Sequence, residues 1–320
     1  MAGSSRLTTV SDWLGPQQNR MIVLMGLAGI AMLIPLVANN YVLEVLTNAW
    51  FYAILCLGLN IVVGYAGLLD LGYAAFFAVG AYTTGILTSK FGVNFWLTIP
   101  VAVSCSMLAG LIIGGPTLRL RSDYLAIVTL GFGEIVRIIA RNLEITGGAS
   151  GLIGIDRPSI FVLELSRGIH FYYVFLLLAI LACFISYRLQ NSRLGRAWQY
   201  VREDEDAAEA MGIGRVAVKL YAYVIGAMFG GVAGCFFAAK MTAISPETFT
   251  FSQSVLILLG VVLGGMGKIP GVIIGAFALV LFPEVFRGLG SMRMLIFGIV
   301  MLIIMLYRPE GIWPQKQREG

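Results

Sequence analysis

Long apolar runs separated by short polar or glycine-rich breaks occupy almost the whole chain. A helix that crosses a membrane needs about 20 apolar residues, because the hydrocarbon core is about 30 Å thick. Each run is predicted to be a helix, because lipid offers no hydrogen-bond partner to an open backbone and the runs are too uniformly apolar for barrel strands. The predicted spans are 21–38, 42–63, 70–89, 96–115, 123–141, 170–188, 216–239, 253–266, 270–286 and 291–307. The pattern predicts an all-α integral membrane protein, a polytopic bundle of about 8–10 transmembrane helices.

The composition argues against the soluble classes of protein. Of the 320 residues, 58% are hydrophobic and only 12% are charged, whereas a soluble domain is nearer half apolar and a quarter charged. The net charge is +5, but the basic residues lie at the ends of apolar runs rather than in one stripe. No nucleic-acid partner is therefore predicted. The four cysteines lie far apart and His170 is the only histidine. Neither a disulfide framework nor a metal site is predicted, and an integral membrane enzyme is disfavoured.

Basic residues define a predicted orientation. With ten spans, the basic groups before the first span, between the fourth and fifth, in the 189–215 loop and in the tail lie on one side, which the positive-inside rule assigns to the cytoplasm. The first run lacks a clear cleavage site and is predicted to be a span rather than a signal peptide. The predicted organisation is a polar cytoplasmic segment 1–20, a transmembrane domain 21–307 with an outer loop 142–169 and a cytoplasmic loop 189–215, and a cytoplasmic tail 308–320.

One densely charged island, GRAWQYVREDEDAAEAMGI at 195–213, lies between the apolar runs. Apolar residues recur there at helical spacing, so Arg196–Met211 is predicted to form one short amphipathic helix that stops at Gly212. Its acidic run presents a negative face, and the small residues Ala207 and Ala208 allow close docking. The pattern alone leaves two interpretations open: a docking element for a soluble partner, or a solvated loop that orients the spans.

Charged residues also occur within or beside the spans. A charge near the bilayer centre costs roughly 2.5–3.5 kcal/mol, and Glu134 and Arg137, three residues apart, share a helical face on which they can pair. The pair is expected either to face the bundle or to lie near the headgroups. Asp70 falls at a predicted turn, where it is expected to be solvated or to cap the next helix.

A substrate path needs polar groups, and the sequence offers few. Asn60, Thr129 and Glu134 are the polar candidates within spans, although helix–helix hydrogen bonding is the commoner use of Asn and Thr there. Gly147 and Gly148, in TGGASG, are candidates because backbone amides can approach a ligand closely at glycine. A flexible outer loop is an equal interpretation of that segment.

The charged island resembles the coupling motif of ABC-importer permeases, in the form found in the branched-chain amino acid permeases. The same resemblance extends in order from residue 59 onward and covers most of that part of the chain. It is carried by LNIVVGYAGLLDLGYAAFFAVGAY (59–82), LRLRSDYLAIVTLGFGEIVRIIARN (118–142), TGGASGL (146–152), LGGMGKIPGVIIGAF (263–277) and RPEGIW (308–313). The chain is similar to LivM-type permease subunits, and the residues before 41 carry no usable resemblance.

The resemblance implies a transport subunit rather than an enzyme. It implies a second, LivH-like permease, two cytoplasmic ATP-binding subunits and a periplasmic or extracellular binding protein, in a bacterial inner membrane. The sequence holds no GxxxxGK[ST] motif, so ATP is expected to be used by the partners and no cofactor by this chain. The expected cargo is a branched-chain or other neutral amino acid; urea or a short amide, or ion-gradient transport, are the alternatives. The coupling residues carried over are Arg202, Glu203, Asp204, Ala207, Ala208 and Gly212.

Overall fold

The computed structural model describes residues 32–35, 38–117, 122–160, 163–164, 168–290, 292–307 and 311. The segment 1–20, most of the predicted span 21–38 and the tail apart from Gly311 lie outside the described residues. The α-helices of the described part are α1 (Asn40–Asn60), α2 (Ala74–Ser89), α3 (Phe95–Thr117), α4 (Ser122–Asn142), α5 (Gly168–Gln190), α6 (Arg193–Glu203), α7 (Glu205–Ala210), α8 (Arg215–Met241), α9 (Phe251–Gly264), α10 (Ile269–Val285) and α11 (Met292–Tyr307). The two-residue strands are β1 (Leu152–Ile153), β2 (Ser159–Ile160), β3 (Leu163–Glu164) and β4 (Ala243–Ile244).

The structure confirms the all-α class, and every predicted span after the first coincides with a helix. Within the described residues, four helical segments are long and apolar enough to cross a membrane by themselves: Asn40–Tyr65, Phe95–Thr117, Gly168–Gln190 and Arg215–Met241. Helices α2, α9 and α10 are apolar but shorter. The chain is a multi-pass membrane protein whose short helices pack beside long ones.

Helix α8 lies at the centre of the bundle and packs against α1, α2 and α3. Small residues allow these close approaches, because membrane helices gain from tight packing more than from apolar burial. A Cβ added at Gly80 of α2 would lie 2.3 Å from the carbonyl oxygen of Gly231, and one at Gly234 would lie 2.3 Å from that of Phe77. The glycines of α2 and α8 therefore set the distance between these helices.

Connections gather at two ends of the bundle. At the β-ribbon end, β1 pairs antiparallel with β4, and the Lys90 ammonium donates to the carbonyl of Glu144 at 3.1 Å. The guanidinium of Arg287 also lies there, 5.0 Å above the ring of Tyr41. The α6 end carries α6, α7, the carboxyl end of α1 and the turn between α9 and α10. Which end faces the cytoplasm stays the prediction made from the basic residues.

The carboxyl end of α1 departs from a regular helix. Ile61–Tyr65 forms a π-helical turn, after which residues 66–73 run without helix to the start of α2. Gly67 takes φ +69°, a left-handed conformation that glycine adopts without steric cost. The predicted span 70–89 is thus correct in position, but its helix begins only at Ala74. Residues 66–73 are referred to below as the α1–α2 break.

We expect Gly80→Ala to destabilise the bundle by about 1–3 kcal/mol, because the new methyl group meets backbone atoms of α8 that cannot rotate away. The matched control is Gly298→Ala in α11, where an added Cβ meets nothing within 4 Å. Thermal unfolding in detergent, followed by size-exclusion fluorescence, measures both. Equal melting temperatures for the two variants would contradict the close α2–α8 packing.

Candidate coupling site

The charged island forms two helices, so the prediction of one continuous helix over Arg196–Met211 was wrong. Helix α6 ends at Glu203, α7 begins at Glu205, and Asp204 between them is extended with φ −154° and ψ 111°. The carboxylate of Asp204 accepts hydrogen bonds from the amides of Asp206 at 2.9 Å and Ala207 at 3.0 Å. An aspartate that caps a new helix competes with continuation of the old one. Acidic residues directly after Asp204, which favour a helix amino terminus, were the overlooked signal.

Gly212 ends α7 as the sequence predicts. Its φ is +83°, its amide donates to the carbonyl of Glu209 at 2.9 Å, and the amide of Ile213 donates to that of Ala208 at 3.0 Å. This pair of bonds is a Schellman motif, which favours glycine at the left-handed position. Gly212 therefore fixes the direction in which the chain leaves α7 for α8.

The inner face of α6 is anchored by Trp198, whose side chain is 0% exposed. The indole Nε1 donates to the carbonyl of Val218 in α8 at 2.8 Å. The indole ring lies almost parallel to the ring of Tyr65, at an interplanar angle of 12° and a centroid separation of 6.3 Å. One side chain thus ties α6 both to the first turn of α8 and to the π-helical end of α1.

Ion pairs hold α7 against the start of α8. The ammonium of Lys219 is 2.6 Å from the carboxylate of Glu205, and Lys219 is only 2% exposed. The guanidinium of Arg215 lies 3.3 Å from Asp206 and 3.1 Å from Glu209 on the exposed side. The buried pair matters most, because an ammonium without a partner in that environment is costly.

Arg202 was predicted to take part in coupling to the partner, and that role stays a prediction. The residue is exposed, but one nitrogen of its guanidinium is hydrogen-bonded within the protein. The Nη1 atom donates to the carbonyl of Gly64, within the π-helical turn of α1. The side chain passes over Gly67, where an added Cβ would lie 2.7 Å from its Cγ. The glycine at 67 therefore makes room for the arginine, and Arg202 links α6 to α1.

The outer face of α6–α7 presents a small apolar centre surrounded by carboxylates. Met211 is 81% exposed, and Ala207 and Ala210 are exposed beside it. Glu203, Asp204, Asp206, Glu209 and Gly212 are exposed around them. We call the surface formed by Glu203, Asp206, Ala207, Ala210 and Met211 the α7 knob. Ala208 is buried and packs inward, as its place among the apolar residues at helical spacing indicates, so it lies outside the α7 knob. A role for Ala208 in coupling stays a prediction.

Of the path candidates, Asn60 and Thr129 are both buried and both engaged in packing. The Asn60 Oδ1 accepts from the amide of Gly267 at 2.8 Å and so joins α1 to the turn between α9 and α10. The Thr129 hydroxyl accepts from the amide of Leu71 at 3.1 Å and donates to the carbonyl of Ala126 at 3.0 Å. These bonds match the structural use noted for such residues; a role in the path stays a prediction.

Glu134 and Arg137 pair as their spacing predicts, with the Nη2 of Arg137 2.9 Å from the Oε2 of Glu134. The Nη1 of Arg137 also approaches Glu247, at 3.3 Å, and Arg141 lies 3.8 Å from the same carboxylate. Glu247 belongs to the short 3₁₀ turn that follows β4. The pair therefore lies toward the β-ribbon end of α4, where it connects that helix to the segment after α8.

Gly147 and Gly148 close the end of α4. Both have positive φ, +79° and +62°, and their amides donate to the carbonyls of Glu144 and Leu143, each at 3.1 Å. In this conformation the two amides are used inside the loop. The prediction that these amides donate hydrogen bonds to the carboxylate of a substrate stays a prediction, and it requires the loop to rearrange.

The expectation for Asp70 was wrong in one respect, because the residue is 0% exposed rather than solvated. The Oδ1 atom accepts from the amide of Gly72 at 2.8 Å, while Oδ2 has no geometrically good partner in the described part of the chain. The hydroxyls of Tyr223 and Thr129 lie next to the carboxyl group. Most residues of the α1–α2 break are buried, and the amide of Leu71 donates to the hydroxyl of Thr129 in α4, so the break packs into the bundle although Leu69 is exposed.

The fold and this site together define a polytopic membrane transport subunit that presents a folded helix pair at one end of its bundle. A family model described as "Branched-chain amino acid transport system / permease component" matches residues 41–305. The chain belongs to this family of permeases.

Curated relatives agree with the family match. The LivM permease proteins of the high-affinity branched-chain amino acid transport systems of Salmonella typhimurium and Escherichia coli are 43% and 42% identical, over 94% of this chain and 76% of their own length. The Salmonella typhimurium LivH permease protein is 23% identical over 71% of this chain and 79% of its own. No solved structure matches. The similar proteins are transport permeases, which fixes the class of this chain.

The Glu205–Lys219 pair predicts an asymmetry between two substitutions. Glu205→Gln leaves a buried ammonium without its counter-ion and should destabilise the α7–α8 junction by about 1–3 kcal/mol. Lys219→Met leaves the carboxylate in contact with water and fills the same volume, so the loss should be smaller. Limited proteolysis of the 203–215 segment and thermal unfolding in detergent compare them. Greater damage from Lys219→Met would contradict the geometry of the pair.

Proposed function

We propose that this chain is one of two membrane-spanning subunits of an ATP-driven importer for branched-chain or other neutral amino acids. The α7 knob is the observation that carries the proposal. It places an exposed methionine and two alanines within a ring of carboxylates, on helices fastened to the bundle. A rigid apolar projection with a charged rim has the form of a docking surface for a protein groove.

The subunits that surround the chain are inferred from its family and its relatives. A LivH-like permease is proposed as the second membrane subunit, because a LivH protein is itself a detectable relative. Two cytoplasmic ATP-binding subunits are proposed to receive the knobs, since the sequence printed here holds no phosphate-binding glycine loop. A binding protein is proposed to deliver the amino acid at the β-ribbon end. The assembly is placed in a bacterial inner membrane.

Transport in this assembly proceeds by alternating access, with no covalent chemistry and no cofactor in this chain. Closure of the ATP-binding subunits displaces the α7 knob. The Glu205–Lys219 pair and the hydrogen bond from Trp198 to Val218 carry that displacement into α8. Because these contacts are directional, the helices respond as bodies rather than by loop deformation. The substrate path then opens on one side and closes on the other.

Uptake of labelled leucine, alanine and urea in cells that lack only this gene tests the class and the cargo. We expect ATP-dependent uptake of leucine or alanine to be lost and to return with the intact gene. Loss of urea uptake alone would overturn the cargo and keep the class. Uptake that follows an ion gradient and ignores ATP depletion would overturn the ATP-driven class.

Substitution of Met211 tests the docking surface. Met211→Ser removes most of the apolar centre of the knob and should weaken capture of the purified ATP-binding subunits about tenfold or more, as expected for a central interface anchor. Ile153→Ser is the matched control, because Ile153 is 76% exposed but lies in β1 at the opposite end. Equal capture by both variants would remove the knob from the interface.

A further inference from the structure

The π-helical turn Ile61–Tyr65 lies directly beneath the coupling helices. All five residues are buried, and the amide of Ala66 donates to the carbonyl of Ile61 at 3.3 Å, five residues back. A π-helical turn holds one residue more than an α-helical turn, and such turns recur at functional sites. A shift of one residue along the helix changes the position of everything that follows. This turn is therefore a point at which a small change of helical register would move the segments on either side of it.

Helix α6 grips this turn at two points. The Arg202 guanidinium donates to the carbonyl of Gly64, and the Trp198 indole stacks on the ring of Tyr65. The arginine contacts the backbone of the turn, and the tryptophan contacts a side chain of the turn. Together the two contacts restrict how the turn can move relative to α6. The two segments are far apart in the sequence: Arg202 and Gly64 are separated by 138 positions. Their contact is therefore tertiary and does not follow from the chain connection.

The turn also lies against the other glycine-rich break of the bundle. An added Cβ at Gly64 would lie 2.6 Å from the amide nitrogen of Gly267, which itself donates to the Asn60 Oδ1 at 2.8 Å. The carbonyl of Gly267 accepts from the Gln190 side chain at the end of α5, at 3.3 Å. The end of α5, the α9–α10 turn and α6 therefore meet around one π-helical turn.

The α1–α2 break and the first residue of α2 connect the π-helical turn to three further helices. The amide of Leu71 donates to Thr129 of α4, the Tyr73 hydroxyl donates to the carbonyl of Gly226 in α8 at 2.9 Å, and the amide of Ala74 donates to Ser254 of α9 at 3.0 Å. Asp70 is buried within the same segment. Each of these three bonds joins the segment 71–74 to a different helix. A displacement of the π-helical turn that moves this segment therefore strains or exchanges all three.

We infer that the motion of the coupling helices enters the bundle through the π-helical end of α1, with Arg202 and Trp198 as positioning residues that hold it. This inference rests on the proposed function and adds the route. The alternative route bypasses α1: it runs through the covalent connections of α6 to α5 and of α7 to α8, and through the contacts of Glu205 and Trp198 with α8. In that case the contacts with Gly64 and Tyr65 would be packing without a role in coupling.

The test compares two arginines of α6 in the complete reconstituted importer. Arg202→Met removes the bond to Gly64, Arg202→Lys keeps a cation that can still reach one carbonyl, and Arg196→Met is the matched control. Arg196 is exposed on the same helix, as Arg202 is, and among the described residues its side chain bonds to the carbonyl of Asn191 just before its own helix, at 3.4 Å. The measured quantity is leucine transported per ATP hydrolysed in liposomes, with capture of the ATP-binding subunits measured in parallel.

We expect Arg202→Met to lower the transport-to-hydrolysis ratio about tenfold, in the range of ordinary coupling energies, while the subunits are still captured. Arg202→Lys should recover part of the ratio and Arg196→Met should match the wild type. An unchanged ratio in Arg202→Met overturns the route and leaves the proposed function standing. Failure of the wild-type chain to capture any ATP-binding subunit would instead overturn the proposed function.

A second measurement needs no variant and covers the case in which Arg202→Met does not fold. Hydrogen exchange of the wild-type importer is compared between the nucleotide-free and ATP-trapped states. We expect exchange over residues 61–68 to change together with exchange over 195–213. A change in 195–213 alone would show that the π-helical turn does not respond, and would overturn the inferred route.

Discussion

Backbone groups freed inside a membrane protein must find partners within the protein, and the break between α1 and α2 makes this requirement acute. Lipid offers no replacement for lost helical hydrogen bonds, each of which costs several kcal/mol when unmade. Backbone groups in and on either side of the break are bonded to Thr129, Ser254 and Arg202, which belong to three other helices. These bonds connect α4, α6 and α9 to the junction between α1 and α2.

The need to satisfy the backbone of α1 also involves helix α6 of the charged island. Helix α6 completes the hydrogen bonding of α1 through Arg202 and encloses Tyr65 with Trp198. Its outer side is exposed, as is the α7 knob. One short segment thus combines an exposed face, proposed above to dock a partner, with a face that is packed against the bundle. A movement imposed on the outer face cannot leave the bundle unaffected.

Glycine has two distinct uses in this structure. Gly80 and Gly234 lack a side chain because another backbone lies within about 2.3 Å of the position a Cβ would take. Gly67 and Gly212 supply positive φ, at +69° and +83°, where the chain must turn sharply. The first use sets the distance between helices, and the second sets the direction of the segments that connect them to the coupling site.

The apolar runs alone determined that the chain crosses a membrane as helices, because a 20-residue apolar run in lipid has no other way to satisfy its backbone. The end of α7 at Gly212 and the Glu134–Arg137 pair could also be predicted from the sequence, because each depends on residues within about one helical turn. Two features depended on distant residues: the inward position of Asp70 and the bond from Arg202 to Gly64. No periodicity reveals them, because the groups around Asp70 and the partner of Arg202 include residues of other helices. The charged island could be recognised from its sequence, but only the tertiary structure decided which of its side chains face water and which hold the membrane helices.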